Sequence, residues 1–271
     1  MKIKMRYLFW GTLLILTLWA FVIEPGFRHH IKTFEIPVKN WKNNDYKIAV
    51  LADIHTGSPF NNLNKLDQIV KMTNKANPDL ILIAGDFVIH EVLGGEFISP
   101  EAMTPYLKKL SAKDGVYAVL GNHDHWLDAK LVTESIEKAG IPVLTNKALS
   151  KTNFWLVGID DSWAGKPELQ KTLNQIKDEK PILLVTHNPD LFITIPERVG
   201  LTIAGHTHGG QVYIPFVGRP IVPLEYGERF AIGHIVEGAK QMFVNPGTGT
   251  SILPVRFLVP PEISLLKIKS P

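Results

Sequence analysis

The sequence predicts an α/β fold with two sheets, and three observations favour it. Short apolar and β-branched runs recur as in buried strands, the first at residues 47–52 and 80–84. Between them, apolar residues repeat at helical spacing over 63–73 until Asn77-Pro78 ends the pattern. This strand–helix–strand order implies a right-handed parallel crossover. Polar residues of metal-binding type follow several runs, which is where the carboxyl ends of parallel strands gather ligands.

The remaining elements continue this alternation along the chain. Helices are predicted over residues 101–110, 129–139 and 168–176. Strands are predicted over residues 115–120, 154–159, 182–186 and 201–204. Residues 212–224 are apolar but interrupted by proline and glycine, which favours a loop or an irregular hairpin. The last runs, 242–244 and 263–268, are predicted to complete a second sheet.

The composition fits one catalytic domain and a short apolar segment. The chain has 271 residues, 45% of them hydrophobic, which is enough for one large core. The net charge is +3, but residues 1–32 hold five basic and one acidic residue of the 29 and 26 present, leaving the rest near neutral at −1. Nucleic acid is therefore not expected as substrate, since its binders carry clustered basic faces. Without cysteine, disulfides and thiolate ligands are excluded and the compartment stays open.

Residues 7–23 carry no charge and form a candidate membrane anchor. Their length lies near the lower limit of about 17–25 residues for a spanning helix. No small-residue cleavage site follows, so an uncleaved anchor is preferred over a removed signal peptide or a buried soluble helix. The basic residues before the anchor favour an extracytoplasmic catalytic domain, although Arg28 and Lys32 weaken that asymmetry.

The boundary between the anchor and the catalytic domain is predicted near residue 33. Residues 24–45 are polar, contain Pro25 and Pro37, and have no long period. This composition is typical of a linker that merges into a first edge strand. We therefore predict an anchor and linker at residues 1–32 and a catalytic domain at residues 33–271.

Residues of metal-ligand type follow the predicted strands in short motifs. The motifs are Asp53-x-His55, Gly85-Asp86, Gly121-Asn122-His123-Asp124, His187 and Gly205-His206-Thr207-His208. Mixed carboxylate, imidazole and amide donors bind divalent ions while leaving positions open to water or substrate. Each motif alone is explained equally well as a turn or a structural residue. Their order at successive strand ends, however, indicates one binuclear metal site.

A site of this kind predicts metal-assisted hydrolysis of a phosphoester. Two ions about 3.5–4 Å apart can share a carboxylate, hold a bridging hydroxide that attacks phosphorus, and clamp the phosphoryl oxygens. No protein nucleophile is required. Nitrogen and oxygen ligands suit manganese, iron and zinc, so two divalent ions are expected and their identity stays open.

The motifs together resemble the calcineurin-like metallophosphoesterase superfamily over residues 47–268. The resemblance implies a two-sheet β-sandwich flanked by helices, a four-layer α/β/β/α fold. It implies one metal position at Asp53, His55, Asp86 and His208, and another at Asp86, Asn122, His187 and His206. Asp86 would then be the bridge. It also implies that His123 contacts the phosphate and assists the leaving group, while Asp124 orients its imidazole.

Other motifs resemble a membrane-anchored bacterial branch of this superfamily. They are His187-Asn188-Pro189-Asp190, Gly209-Gly210-Gln211, the run 245–251 and Pro261-Glu262-Ile263. The resemblance implies a single-pass protein of the bacterial inner membrane that acts on phosphodiesters, or alternatively on the pyrophosphate of UDP-2,3-diacylglucosamine in lipid A synthesis. The apolar stretch near Phe216 suits a lipid-linked substrate, or it covers the second sheet. A catalytically silent metal-binding scaffold is a further alternative, and no protein partner is evident.

The remaining polar residues leave alternatives open. Asp160 and Asp161 follow a strand and either surround the metal ligands or form a solvated turn. His125 either lines the pocket or lies at the surface. Arg219 and Arg256 are candidate phosphate contacts, with packing as the alternative. No role is assigned to His90, Glu91, His29, His30 and His234.

Overall fold

The computed structural model describes residues 2–42, 45–89 and 92–270. Its helices are α1 (Lys2–Leu18), α2 (Glu24–Phe27), α3 (Leu63–Lys75), α4 (Pro100–Leu107), α5 (Asn122–Lys138) and α6 (Leu169–Leu173). Its strands are β1 (His30–Pro37), β2 (Tyr46–Leu51), β3 (Leu80–Ala84), β4 (Val116–Val119), β5 (Lys147–Ser150), β6 (Trp155–Gly158), β7 (Ile182–Val185), β8 (Leu201–Ala204), β9 (Gly233–Glu237), β10 (Lys240–Val244) and β11 (Glu262–Lys269).

The amino-terminal helix is a candidate membrane span. α1 continues through a π-helical turn at Trp19–Ile23 into α2. The stretch Lys4–Phe27 is long and apolar enough to cross a bilayer, with a mean hydropathy of 1.7, and most of it is exposed. Its length and composition make it a candidate membrane anchor.

The first sheet contains five strands in the order β1-β11-β2-β3-β4. β2, β3 and β4 are parallel neighbours. α3 forms the predicted crossover between β2 and β3, and the Asn62 side chain caps it by accepting a hydrogen bond from the Lys65 amide at 3.1 Å. The parallel arrangement brings the carboxyl ends of β2 and β3 side by side.

The second sheet contains six strands in the order β5-β6-β7-β8-β10-β9. β6, β7, β8 and β10 are parallel, whereas the edge strands β5 and β9 are antiparallel to their neighbours. The carboxyl ends of β7 and β8 therefore meet at one edge, as those of β2 and β3 do in the first sheet.

Three apolar layers hold the two sheets and the helices together. Helices α3, α4 and α5 pack on the first sheet through residues such as Ile69, Met103 and Ile136. The two sheets face one another across residues such as Val50 and Ile203. α6 and neighbouring loops cover the outer face of the second sheet. This order of layers confirms the predicted two-sheet α/β fold flanked by helices.

The prediction that residues 263–268 complete the second sheet is wrong. β11 lies inside the first sheet, parallel to β1 and antiparallel to β2. Its side chains are buried on both faces: Leu265 packs towards the helices, while Leu266 packs between the sheets. A strand buried on both faces carries no local signal for the sheet that it joins.

Several element boundaries also differ from the prediction. α5 begins at Asn122 rather than near residue 129, with a kink at Asp128, because its polar first turn has no apolar period. β1 begins at His30 rather than near residue 33. β5 and β9 were not predicted, since short and partly exposed edge strands lack a strong pattern. Residues 212–224 contain only isolated bridges, which agrees with the predicted irregular segment.

Candidate metal centre

The predicted ligand residues converge at the carboxyl ends of strands from both sheets. Asp53 follows β2, Asp86 follows β3, His187 follows β7 and His206 follows β8. Asn122 opens α5, whose first turn faces the same point. His55 and His208 complete the group, and all seven side chains belong to residues that are buried.

Asp53, His55 and His208 form the first group of possible ligands. The Nε2 atoms of His55 and His208 lie 3.1 Å apart. His208 Nε2 lies 3.6 Å from the nearer carboxylate oxygen of Asp53. Ligand atoms of all three residues lie within 4.8 Å of one another, so a single ion can contact all of them.

Asp86, Asn122, His187 and His206 form the second group. His187 Nε2 lies 3.3 Å from Asp86 Oδ2, 3.1 Å from Asn122 Oδ1 and 3.2 Å from His206 Nδ1. Asp86 Oδ2 also lies 3.5 Å from His55 Nε2 in the first group. One carboxylate oxygen is therefore close to both groups, as required of a shared ligand.

The second group fits a divalent ion because its convergent atoms are all acceptors. His187 donates through Nδ1 to the Ala84 carbonyl at 2.7 Å, and His206 donates through Nε2 to the Pro223 carbonyl at 3.0 Å. In the neutral rings, the facing nitrogens then carry lone pairs. These nitrogens meet the oxygens of Asn122 and Asp86, so a cation is the natural partner for the set.

In the first group, His55 shows the same arrangement. His55 Nδ1 lies 2.8 Å from the Val88 carbonyl, which fixes that nitrogen as the donor and leaves Nε2 as an acceptor. Burial lowers the pKa of His55 to about 3 and holds the pKa of His208 well below its usual range. Both rings are therefore neutral at physiological pH, which is the protonation state that binds metal.

The pKa values of the Asp53 and Asp86 carboxylates shift in opposite directions. Burial raises the pKa of Asp53 to about 8. Burial opposes the charge on Asp86 as well, but the histidines around it outweigh burial and hold the pKa of Asp86 well below its usual range. Asp86 and Asp53 likewise outweigh burial at His187 and raise its pKa. A divalent ion would supply the positive charge that His187 provides when protonated.

The Asp86 carboxylate is held in a fixed orientation by the start of α5. The His123 amide donates a hydrogen bond to Asp86 Oδ1 at 2.9 Å, so Oδ2 is directed at His55 and His187. A nitrogen of the His123 ring lies within 4.8 Å of the ligand atoms of His55 and Asp86. His123, which the resemblance implies contacts the phosphate, therefore lies beside the carboxylate of Asp86.

The structure shows that Asp124 supports the turn at Asp86. Its carboxylate accepts hydrogen bonds from the amides of Asp86, Phe87, Val88 and Gly121 at 2.9 to 3.2 Å. Burial raises the pKa of Asp124 to about 7. Asp124 therefore holds the turn that carries Asp86, and its orientation of the His123 imidazole stays a prediction.

Five of the seven predicted ligands have a left-handed backbone, which is uncommon for residues other than glycine. They are Asp53, His55, Asp86, His206 and His208, with φ between 44° and 70°. Such conformations cost energy and cluster at functional sites. Here they turn the chain sharply at each strand end, so that successive ligands point into one small volume.

Glycine is required at two places where backbone approaches the ligands. Gly85 has φ of 88°, and a Cβ there would lie 2.6 Å from His187 Nδ1. Gly247 has φ of 75°, and a Cβ there would lie 2.6 Å from the Cβ of Asp53. The segment 245–251, noted in the sequence for its resemblance to one branch, therefore packs directly beneath the first ligand group.

The structure shows the surroundings of His125, Asp160 and Asp161, whose roles the sequence left open. His125 donates through Nε2 to Asp160 Oδ1 at 2.8 Å, and the two side chains are 15% and 8% exposed. Asp161 is buried, and its carboxylate accepts hydrogen bonds from the amides of Trp163 and Ala164. Asp160 and Asp161 thus shape the loop after β6 instead of forming a solvated turn.

Arg256 does not contact phosphate, because its guanidinium is buried and bound to backbone. It donates to the carbonyls of Pro246, Gly249 and Val259, so its role is to hold the 245–251 segment in place. Arg219 is partly exposed and donates to the Gly209 carbonyl at 2.9 Å. His29 contacts the Thr248 carbonyl. His90 and Glu91 lie outside the described residues.

Two exposed tryptophans flank the centre, and sequence reasoning missed them. The ring of Trp126 lies 4.8 Å from that of His123, and the ring of Trp163 lies 4.8 Å from that of His206. The two indoles are 6.2 Å apart and each residue is 57% exposed. The available signal was their position close after Asp124 and Asp161. They form an apolar wall beside a polar centre.

The fold and the centre together define a class of metallohydrolase. A family model of the calcineurin-like phosphoesterases matches residues 46–210. The chain is 33% identical to an uncharacterized metallophosphoesterase, YkuE of Bacillus subtilis, over 93% of this chain and 89% of that one. It is 32% identical to the phosphodiesterase YaeI of Escherichia coli, over 90% of each.

Among solved structures, the chain is similar to the NAD nucleotidase NadN of Haemophilus influenzae. The TM-score is 0.46 with 15% identity, over 75% of this chain and 50% of that one. The chain therefore spans about half the length of that nucleotidase. By its family match and its relatives, the chain belongs to the calcineurin-like phosphoesterase family and is a metal-dependent phosphoester hydrolase.

Proposed function

We propose that the protein is a membrane-associated phosphodiesterase with a binuclear metal centre. Its seven ligands would be Asp53, His55, Asp86, Asn122, His187, His206 and His208, with Asp86 shared between two ions. The observation that carries this proposal is the convergence of acceptor atoms at Asp86 Oδ2, within 3.5 Å of His55 Nε2 and 3.3 Å of His187 Nε2. The similarity to a relative named phosphodiesterase supports the substrate class.

Divalent ions bound there would supply Lewis acidity to the phosphoryl group and to water. The chain's own residues would do the rest. His123, beside Asp86, is positioned to transfer a proton to the leaving-group oxygen. Asp124 acts as a positioning residue through the Asp86 turn. Trp126 and Trp163 offer an apolar surface to the part of the substrate that extends from the centre.

Membrane association rests on the amino-terminal helix. The stretch Lys4–Phe27 would cross the bilayer, so that residues 1–32 act as anchor and linker and residues 33–271 as catalytic domain. The basic residues at its start favour an amino terminus on the cytoplasmic side of a bacterial inner membrane and an extracytoplasmic catalytic domain.

Turnover of an activated phosphodiester by the full-length chain in detergent tests the proposal. The protein is chelated and reloaded with manganese, iron or zinc, and bis(p-nitrophenyl) phosphate hydrolysis is followed. Asn122→Ala should abolish turnover and lower bound metal, since it removes a ligand. His123→Ala should lower turnover by about 10²–10⁴-fold while both metals are retained.

The exposed His234, which bonds only to Gln241 among the hydrogen bonds described, provides a matched control. His234→Ala should leave turnover unchanged. Full activity in Asn122→Ala, or metal binding without turnover of any phosphoester, would contradict the proposal; the second result would favour a silent metal-binding scaffold.

A narrower alternative is hydrolysis of the pyrophosphate in a nucleotide-linked lipid such as UDP-2,3-diacylglucosamine. The tryptophan wall favours it, since exposed indoles bind planar or apolar groups. The test compares kcat/KM for that substrate with kcat/KM for a small soluble diester, in the native chain and in Trp163→Ala and Trp163→Phe. Selective loss in Trp163→Ala, with recovery in Trp163→Phe, would support this alternative.

A further inference from the structure

We propose that the catalytic domain itself lies against the bilayer, through an apolar face that surrounds the end of the amino-terminal helix. The proposal rests on the membrane anchorage proposed above. The face, here the apolar collar, consists of Phe27, Phe60, Phe216, Ile252, Leu253 and Leu258. These residues are 69%, 41%, 106%, 75%, 45% and 50% exposed, respectively. An exposed apolar group of this size beside a membrane span indicates a membrane contact.

The helix is joined to the domain by hydrogen bonds rather than by a free linker. The Arg256 amide donates to the Ala20 carbonyl at 2.9 Å. The buried Glu24 carboxylate accepts from the Val259 amide and from Trp19 Nε1, each at 2.7 Å. These bonds tie the segment 251–259 to the end of the helix. Ile252, Leu253 and Leu258 belong to that segment, so they lie where the helix leaves the domain.

The other collar residues adjoin the same segment. The rings of Phe27 and Phe60 are 6.4 Å apart, which extends the face along α2. On another side, the Tyr213 amide donates to the Phe257 carbonyl at 2.9 Å. The turn after Tyr213 is closed by the Ile214–Gly218 bridge and carries Phe216 at its tip. The collar is therefore built from loops that are bonded to one another around the helix.

Four of the six collar residues are held outward by an uncommon backbone conformation. Among the described residues, the apolar side chains on left-handed backbone are Phe60, Phe216, Ile252 and Leu258, with φ of 66°, 69°, 63° and 57°. All four belong to the collar. For a β-branched residue such as Ile252 this conformation is a genuine outlier. A strained loop that exposes an apolar side chain gains nothing in water, so the side chain is expected to gain its contacts in lipid.

The collar and the metal centre share two short segments. Gln211, which follows His208 and two glycines, accepts from the Phe257 amide at 2.9 Å and donates to the Ser251 carbonyl at 3.1 Å. Gly249, just before Ser251, donates to the Asp53 carbonyl at 2.8 Å. A bilayer against the collar would therefore lie next to the rim of the centre. The substrate class that fits is a phosphoester whose apolar chains stay in the lipid.

Because the chain has no cysteine, single labels can be placed cleanly. Phe216→Cys, Leu253→Cys, Leu14→Cys and Val236→Cys would each carry an NBD fluorophore in the full-length protein, reconstituted into phosphatidylcholine–phosphatidylglycerol vesicles with or without a lipid-borne nitroxide quencher. Leu14 reports on the span. Val236, 61% exposed on β9 and level with the start of β8, is the matched surface control.

The docking proposal expects the labels at 216, 253 and 14 to be blue-shifted and quenched from the lipid, and the label at 236 to be quenched only by an aqueous agent. Lipid quenching at 14 with aqueous labels at 216 and 253 would overturn docking and leave the anchor intact. An aqueous label at 14 would instead overturn the anchor. A blue shift at 216 and 253 without lipid quenching would show that protein, such as a second copy of the chain, covers the collar.

The functional consequence is tested with the double variant Phe216→Asp/Leu253→Asp. In vesicles it should hydrolyse a phosphodiester that is embedded in the lipid about tenfold more slowly, because charged side chains resist burial in a bilayer. Its turnover of soluble bis(p-nitrophenyl) phosphate should stay unchanged. Val236→Asp is the control, and an equal loss on both substrates would contradict the proposal.

Discussion

The candidate metal centre and the apolar collar share one backbone feature, but it directs side chains inward in the first region and outward in the second. In both regions, residues other than glycine take left-handed conformations: five of the predicted ligands in the centre and four apolar residues in the collar. In the centre, the turns direct polar side chains inward, where hydrogen bonds and a bound cation can compensate for their burial. In the collar, the turns direct apolar side chains outward. On the two proposals made above, these nine residues lie where the chain would meet an ion in one region and lipid in the other; the remaining left-handed residues other than glycine are Asn40, Asp45, Asn77, Asn146 and Gln211.

The largest expected effect removes the charge that the two ligand groups share. Asp86→Asn should lower phosphodiester turnover by on the order of a thousandfold. The variant should also bind less metal by elemental analysis, since its Oδ2 position is the one near both His55 and His187. Asp67→Asn, on α3 and paired with Lys71 and Lys109, is the control and should behave like the native chain. Full metal content with full turnover would break the assignment of Asp86.

The next largest effect concerns the turn that carries Asp86, and it is measured as folding stability instead of metal binding. Asp124→Ala leaves the amides of Asp86, Phe87, Val88 and Gly121 without their acceptor, so unfolding free energy should fall by about 3 kcal/mol. Denaturant titration of the metal-free protein measures this loss. The exposed Asp178, which accepts from Trp155 Nε1, provides the comparison, and Asp178→Ala should cost much less. Equal losses would show that Asp124 does not hold the turn.

A third prediction concerns His29, two residues after Phe27 of the collar, and its hydrogen bond to the segment 245–251 of the centre. His29 bonds to the Thr248 carbonyl beneath the centre, and burial lowers its pKa to about 3. A lowered folded-state pKa means that His29 favours folding above pH 6.5, and that this contribution is lost as pH falls towards 3. His29→Gln should therefore reduce the loss of stability between pH 7 and pH 5 by on the order of 1 kcal/mol.

Denaturant titrations of both proteins at pH 7 and pH 5 check this prediction. His234→Gln, at an exposed histidine, is the control and should keep the pH dependence of the native chain. Parallel pH profiles for the native protein and His29→Gln would show that His29 carries no pH-dependent stability.

The smallest expected effect tests whether the left-handed backbone of Ile252 in the collar lowers the stability of the folded protein. Ile252→Gly should stabilise the folded protein in detergent by about 1 kcal/mol, because glycine takes a left-handed conformation without strain. Val236→Gly, within strand β9, should destabilise it by a similar amount. Thermal unfolding in detergent measures both. A loss of stability in Ile252→Gly would mean that Ile252 makes contacts in the folded domain that outweigh its strain.

The sequence predicted the parts of the molecule that local patterns encode. Asp53 and Asp86 follow continuous apolar strands, and their placement at neighbouring strand ends is confirmed because a parallel crossover has only one favoured hand. β11 was assigned to the wrong sheet because its partners, β1 and β2, are distant in sequence and both of its faces are buried. The convergence of all seven ligand residues is a property of the whole fold.

Side-chain environment was the part that the sequence could not supply. The sequence left Arg256 open between a phosphate contact and packing, and the structure shows that it packs, buried against the carbonyls of the 245–251 segment. The sequence did not indicate that Asp124 also accepts hydrogen bonds from several amides of the turn at Asp86. Trp126 and Trp163 follow Asp124 and Asp161 closely in sequence, but that position alone does not show that the two rings lie side by side at the centre. Each of these outcomes depends on contacts between loops from different strands.

The hydrogen-bonded junction at Glu24 determines how a membrane-inserted form of the protein would meet its targets. From Trp19 to Phe27 the backbone is helical, and Ala20 and Glu24 are bonded to the segment 251–259, so helix and domain move as one body. Such a protein would meet its targets by diffusion in the plane of the membrane, not by diffusion through the solution. Its encounter rate would then depend on the number of target molecules per unit of membrane area, and dilution of the surrounding solution would not slow it.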